Sequence, residues 1–148
     1  MSVRRVLLPL VLLLVATTLL SCGSTDIVTY VPEGGIHGAD DLTTLIASAN
    51  LGDTAAVTTG KAPEVRQDAL TQLRGYGDDA AALADTLTSD FPLDMAAVPV
   101  YVERGSYEDE PVWIVIEATA DGAGTLTSRR LWVLSYTEGT VIAALSAP

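Results

Sequence analysis

Read from its amino terminus, the chain opens with an almost unbroken apolar run over residues 6–20 and afterwards changes hydrophobic period twice. From Asp40 the period is helical for about fifty residues. Asp40 or Asp41 caps a short helix whose Leu42, Leu45, Ile46 and Ala49 fall on one face, with Asn50 and Gly52 as terminators. After a polar stretch over residues 53–61, Pro63 suits the first turn of a second helix. Its buried stripe is Val65, Ala69, Leu70 and Leu73, and it stops at Gly75. Asp78 caps a third helix with Ala80, Leu83, Ala84 and Leu87 inward, and Phe91-Pro92 closes the helical half. Beyond Ala96 the pattern alternates, with turn signals at Gly105, at Asp121-Gly122-Ala123-Gly124 and at Glu138-Gly139. Four strands are predicted, over residues 97–103, 112–119, 127–136 and 140–145. The fold class is therefore α+β: about three short helices followed by a four-stranded antiparallel meander, with the helices packed on one face.

Centring each hairpin on its turn, at Tyr107, Ala123 and Glu138, sets Tyr101 across from Trp113, Glu117 across from Arg129 and Trp132 across from Ala144. One face then carries Val98, Val100, Val102, Val112, Ile114, Ile116, Trp132, Leu134, Ile142 and Ala144, and is the expected core face. The other carries Tyr101, Trp113, Val115, Leu131, Val133, Ala143 and Leu145 beside Glu103, Glu117 and Arg129. A solvated sheet face should be mostly polar, so the residues Tyr101, Trp113, Val115, Leu131 and Val133 form a possible interaction face. Two other readings stay open: the segment 27–31 or the helix at Leu42 covers it, or a one-residue slip exchanges the faces.

Composition narrows the chemistry. The chain has 148 residues and is 49% hydrophobic, with 19 acidic residues against eight basic ones, one histidine and one cysteine. That is one domain's worth of chain, and the surplus of acid excludes a nucleic-acid binder that works by neutralising phosphates. A single cysteine excludes an internal disulfide, a cysteine zinc site and a redox pair, and a single histidine excludes a metal site needing two imidazoles. The apolar run is preceded by Arg4 and Arg5 with no acid in the first 21 residues, which is the layout of an export signal. It is shorter than the roughly twenty residues of a spanning helix.

The run ends in Leu19-Leu20-Ser21-Cys22, followed by Gly23-Ser24. These residues resemble the lipobox of bacterial lipoproteins, in which an aliphatic residue at minus three and a small residue at minus one precede a cysteine. Leu20 is bulkier than the usual residue at minus two. The resemblance implies cleavage before Cys22, a diacylglyceryl group on its sulfur and attachment to the outer face of the cell membrane. The expected organisation is a signal peptide over residues 1–21, a lipidated terminus and tether over 22–38, and one α+β domain over 39–148. As flexible coil the sixteen residues 23–38, with Pro32, Gly34, Gly35 and Gly38, would span roughly 20 to 25 Å. Ile27, Val28, Tyr30 and Val31 inside it are strand-like, which leaves packing on the domain open. Without the signal, six basic residues face 19 acids, so the mature charge is -13. Anionic headgroups repel such a body.

No catalytic, cofactor-binding or metal-binding set is expected. His37 lies between Ile36 and Gly38 in the tether and reads as a solvated loop residue. Glu108-Asp109-Glu110 lacks the alternating oxygen ligands and central glycine of a calcium loop and reads as a charged hairpin tip. Glu103 and Glu117 on neighbouring strands lack the cleft of a glycosidase pair, and Glu117 is expected to pair with Arg129. Alternation sends Arg129 and Arg130 to opposite faces, and Trp113 and Trp132 read as sheet packing.

Two further likenesses add context. Gly60-Lys61, Glu64-Val65-Arg66, Ala69-Leu70 and Leu73-Arg74, with residues 98–103 and 129–133 in the sheet, resemble small exported actinobacterial proteins to which no activity attaches. Helices ahead of a curved meander resemble, in architecture alone, the NTF2-like fold, which implies a pocket between sheet and helices. The expected function is a lipid-anchored extracytoplasmic module, not an enzyme, that binds a protein or cell-envelope component. The alternative is a carrier of a small apolar ligand.

Overall fold

The computed structural model describes residues 25–91 and 96–148, so the expected signal segment and Cys22 lie outside the described residues. The chain is α+β: three α-helices and a mixed sheet of six strands. The helices are α1 (Ala39–Ser48), α2 (Ala62–Arg74) and α3 (Asp78–Ser89). All three lie where the period places them. Asp41 acts from inside the first turn of α1, its carboxylate accepting the Gly38 N–H at 2.7 Å. Pro63 sits in the first turn of α2. Gly77, at φ 123°, is the N-cap of α3, a backbone conformation closed to other residues.

The strands are β1 (Thr29–Val31), β2 (Ile36–His37), β3 (Ala97–Tyr107), β4 (Glu110–Thr119), β5 (Ser128–Ser135) and β6 (Val141–Ala147). Their order is β1-β3-β4-β5-β6, with β2 also on β3. The four long strands form the expected antiparallel meander, whereas β1 and β2 run parallel to β3. The tether expected over residues 22–38 is thus corrected from Ile27 onward. The N–H groups of Ile27 and Val28 both donate to Oε1 of Gln72, at 2.8 and 2.9 Å, and Val28 is fully buried. Strand-like residues here satisfy an edge of β3 that would otherwise stay unpaired.

Register departs from the expectation in two of three hairpins. The first turn is the two-residue Glu108-Asp109, both at positive φ (49° and 69°), the backbone of a tight hairpin. Tyr101 therefore stands opposite Ile116, and Arg104 opposite Trp113. Across the next hairpin Glu117 faces Arg130 rather than Arg129. The last hairpin keeps Trp132 opposite Ala144, as expected. Register shifts also interrupt the alternation between Pro99 and Tyr101 and between Val133 and Leu134. Each odd slip exchanges faces.

The outcome is two covered faces. Tyr101, Glu103, Ile114, Ile116, Leu131 and Val133 share one face, on which α1 packs with its buried Leu42 and Ile46. Trp113, Val115, Glu117, Trp132 and Leu134 share the other, under α2 and α3, whose stripes are buried at Leu70, Leu73, Leu83 and Leu87. Every residue of β4 from Val112 to Thr119 is buried. The expectation that helices pack on one face is corrected: three amphipathic helices carry more apolar stripe than one face of a small sheet can cover. The run Val112-Trp113-Ile114-Val115-Ile116, with no polar alternation, is the local mark of a strand buried on both sides.

Candidate functional site

The proposed interaction face does not exist as a surface. Trp113 is 4% exposed, Val115, Leu131 and Val133 are fully buried, and Tyr101 is half-buried. Trp113 and Val115 lie under α2 and α3, while Tyr101, Leu131 and Val133 lie on the α1 side. The odd register slips separated residues that the alternation had grouped.

Tyr101 instead belongs to a polar cluster with a residue read as solvated. The Glu103 side chain is 4% exposed and His37 15%. His37 Nε2 lies 2.7 Å from Glu103 Oε1, the Gly35 N–H donates to the same oxygen at 2.7 Å, and the Tyr101 hydroxyl donates to Oε2 at 2.6 Å. A Cβ on Gly34 would collide with the Glu103 side chain, and one on Gly105 would stand 2.8 Å from the Gly35 carbonyl. The glycines let the backbone close over the carboxylate. Burial raises the Glu103 pKa, but hydrogen bonds from His37, Tyr101 and Gly35 outweigh it and hold the group below the ordinary carboxylate range. Tyr101 is driven up by burial and by the same carboxylate. With both oxygens taken, the cluster clamps the segment 34–37 onto β3.

A second buried charge sits on the other face. Arg66 Nη1 donates to Glu117 Oε1 at 2.8 Å and to the Ala97 carbonyl at 3.0 Å, and Nη2 donates to the Leu87 carbonyl at 3.1 Å. Trp132 Nε1 donates to Glu117 Oε2 at 2.8 Å. The expected Glu117 to Arg129 pair is therefore corrected, and Arg129 Nε donates to the Ala49 carbonyl instead. One signal for this was present: Arg66 falls on the α2 stripe between Ala62 and Ala69, both fully buried, so an arginine occupied a core position. For His37 and Glu103, 66 residues apart, spacing carried no signal.

The surface feature with most binding chemistry is an aromatic cleft at the amino-terminal start of α3. Tyr30 of β1 stacks on Tyr76 with centroids 4.9 Å apart, and Tyr30 and Tyr136 flank Trp113 at 6.4 and 5.5 Å. Arg104 lies 4.4 Å from the Tyr136 centroid and donates to Asp79 at 3.0 Å. Tyr30, Pro32, Tyr76, Asp79 and Arg104 line a cleft of about 360 Å³. Tyr76 is 42% exposed, so an aromatic ring and an accessible ion pair meet solvent together. A second cleft, of about 460 Å³, is more apolar and is lined by Phe91, Trp132, Gly139 and Val141. Among the described residues no group of three or more His, Cys, Asp or Glu side chains could hold a metal ion. Comparison with protein-family models, curated proteins and solved structures finds no match to this chain.

Proposed function

We propose that this chain is a lipid-anchored extracytoplasmic module that binds a protein or cell-envelope component and is not an enzyme. The observation that carries the reading is Leu19-Leu20-Ser21-Cys22 behind Arg4, Arg5 and the apolar run, which implies a diacylglyceryl group on Cys22. Each buried CH₂ contributes about 0.8 kcal/mol, so two acyl chains give a stable anchor where one does not. The fold bears on how such an anchor would act. Ile27 is held by Gln72, so five chain steps separate it from Cys22, a reach of at most about 18 Å. That is too short for a long tether, and the domain would work close to the bilayer.

Binding is favoured over catalysis because the clustered titratable groups spend their hydrogen bonds on one another, as Glu103 does with His37, Tyr101 and Gly35. The contact surface we assign is the Tyr30, Tyr76, Asp79 and Arg104 cleft, in place of the buried Tyr101 and Trp113 face. Intact-mass analysis of protein extracted from membranes tests the anchor: the expected species begins at a diacylglyceryl-modified Cys22, and Cys22→Ser should release the chain from lipid. An uncleaved chain with a free thiol would end the reading. The apolar-ligand carrier remains the second reading, with its site moved from the expected pocket between sheet and helices, where Val100 and Ile114 are packed in the core, to the surface cleft at Phe91, Trp132 and Val141. Native mass spectrometry showing a co-purified lipid lost on Val141→Asp would support it.

A further inference from the structure

The two edges of the sheet are built differently. At one, β1 and β2 have three and two residues and are separated by Pro32, Glu33, Gly34 and Gly35, features that stop another strand from adding. At the other, β6 runs for seven residues and contains neither proline nor a charged side chain. Among the described residues it pairs only with β5. Val141 and Ile142 at its start are 50% and 41% exposed. A strand of this kind leaves a row of N–H and C=O groups ready to pair with another chain.

We propose that β6 pairs antiparallel with β6 of a second copy of this chain, joining two sheets into one across a two-fold axis. Charge selects this occupant. β5 places Arg130 opposite Ser146, so a positive side chain flanks the carboxyl-terminal end of β6, while Arg129, opposite Ala147, is turned onto the Ala49 and Pro148 carbonyls. The amino-terminal end follows the exposed Glu138. Antiparallel pairing brings the arginine end of each copy toward the Glu138 end of the other, twice over, whereas parallel pairing sets like ends together. Arg130 lies 5.4 Å from the Trp132 ring centroid and takes part in none of the ion pairs among the described residues. The strand itself opposes no charge to its copy, in a chain of net charge -11. Centred on the small, exposed Ala144, the pairing sets Ile142 against the partner's Ser146 and Val141 against the partner's Ala147. An interface of this kind uses one patch twice, so it closes at two copies.

Sedimentation equilibrium of the full chain in detergent tests the pairing. A dimer that dissociates on dilution is expected, and both Ala144→Lys and Ala144→Glu should leave monomer, because either charge meets its own copy at the axis. Their circular dichroism should match wild type, and their melting should match that of wild type diluted to monomer, since association itself raises Tm; agreement between the two variants guards against misfolding of one. A partner of fixed charge would tolerate one sign and not the other. Arg130→Glu and Glu138→Arg should each weaken the dimer, and their combination should restore it at low salt. A wild-type monomer at every concentration, a dimer that survives both Ala144 variants, or a charge swap that restores nothing overturns the proposal.

Discussion

Arg66 offers the most quantitative test of the interior. Its side chain is 2% exposed and joins α2 to the Leu87 carbonyl on α3, the Ala97 carbonyl on β3 and the Glu117 carboxylate on β4. Arg66→Met keeps most of the volume and removes the charge. Glu117 is then an ion in the interior with the Trp132 indole as its remaining side-chain donor. Removing one partner of a buried pair costs about 3–5 kcal/mol, because the other charge stays desolvated. With an unfolding entropy of about 2.1 cal/mol/K per residue, about 120 residues give about 0.25 kcal/mol/K, so a 4 kcal/mol loss lowers Tm by about 15 °C. The double variant Arg66→Met/Glu117→Leu removes both ions. It should cost less than the sum of the single changes, leaving the desolvation of the Trp132 N–H and two carbonyls, about 1–3 kcal/mol for a fully unsatisfied group. Urea unfolding followed by far-ultraviolet circular dichroism reads all four corners of this cycle. A loss below about 1 kcal/mol for Arg66→Met, or strictly additive costs, would refute the buried pair.

Two further outcomes follow from the same geometry. Because the Glu103 pKa is lowered in the folded chain, its contribution to stability is present above the ordinary glutamate range and is lost as pH falls through the lowered folded value. Glu103→Gln should therefore flatten the acid limb of a stability-against-pH profile, and an unchanged limb would show that the clamp does not hold a carboxylate. Trp113→Glu should abolish cooperative unfolding, since the ring is 4% exposed among Tyr30, Tyr136 and the α3 side chains; a folded variant with a wild-type melting curve would return Trp113 to the surface.

The helical half was readable because each helix carries its own punctuation: Pro63 at the start of α2, Gly75 after it, and Ala80, Leu83, Ala84 and Leu87 at a spacing only a helix turns to one side. The strands were readable from alternation and turn residues. Their faces were not, because a face depends on where a hairpin closes. Moving the centre from Tyr107 to Glu108-Asp109 changes the sheet neighbour of every residue in β3. The candidate sites divided in the same way. The lipobox resemblance rests on contiguous residues, whereas the His37 and Glu103 clamp and the Arg66 and Glu117 pair join residues 66 and 51 apart.

The sequence by itself determined the α+β class, the three helices, the meander of four long strands and the lipobox resemblance at Cys22, since each is written in residues close along the chain. Only the tertiary structure decided that β1 and β2 complete the sheet, that both faces are covered, and that Tyr101 and Trp113 lie on opposite sides of it. Those outcomes rest on register and on packing between distant segments. A single odd slip between strands reverses every side chain beyond it without changing any local preference.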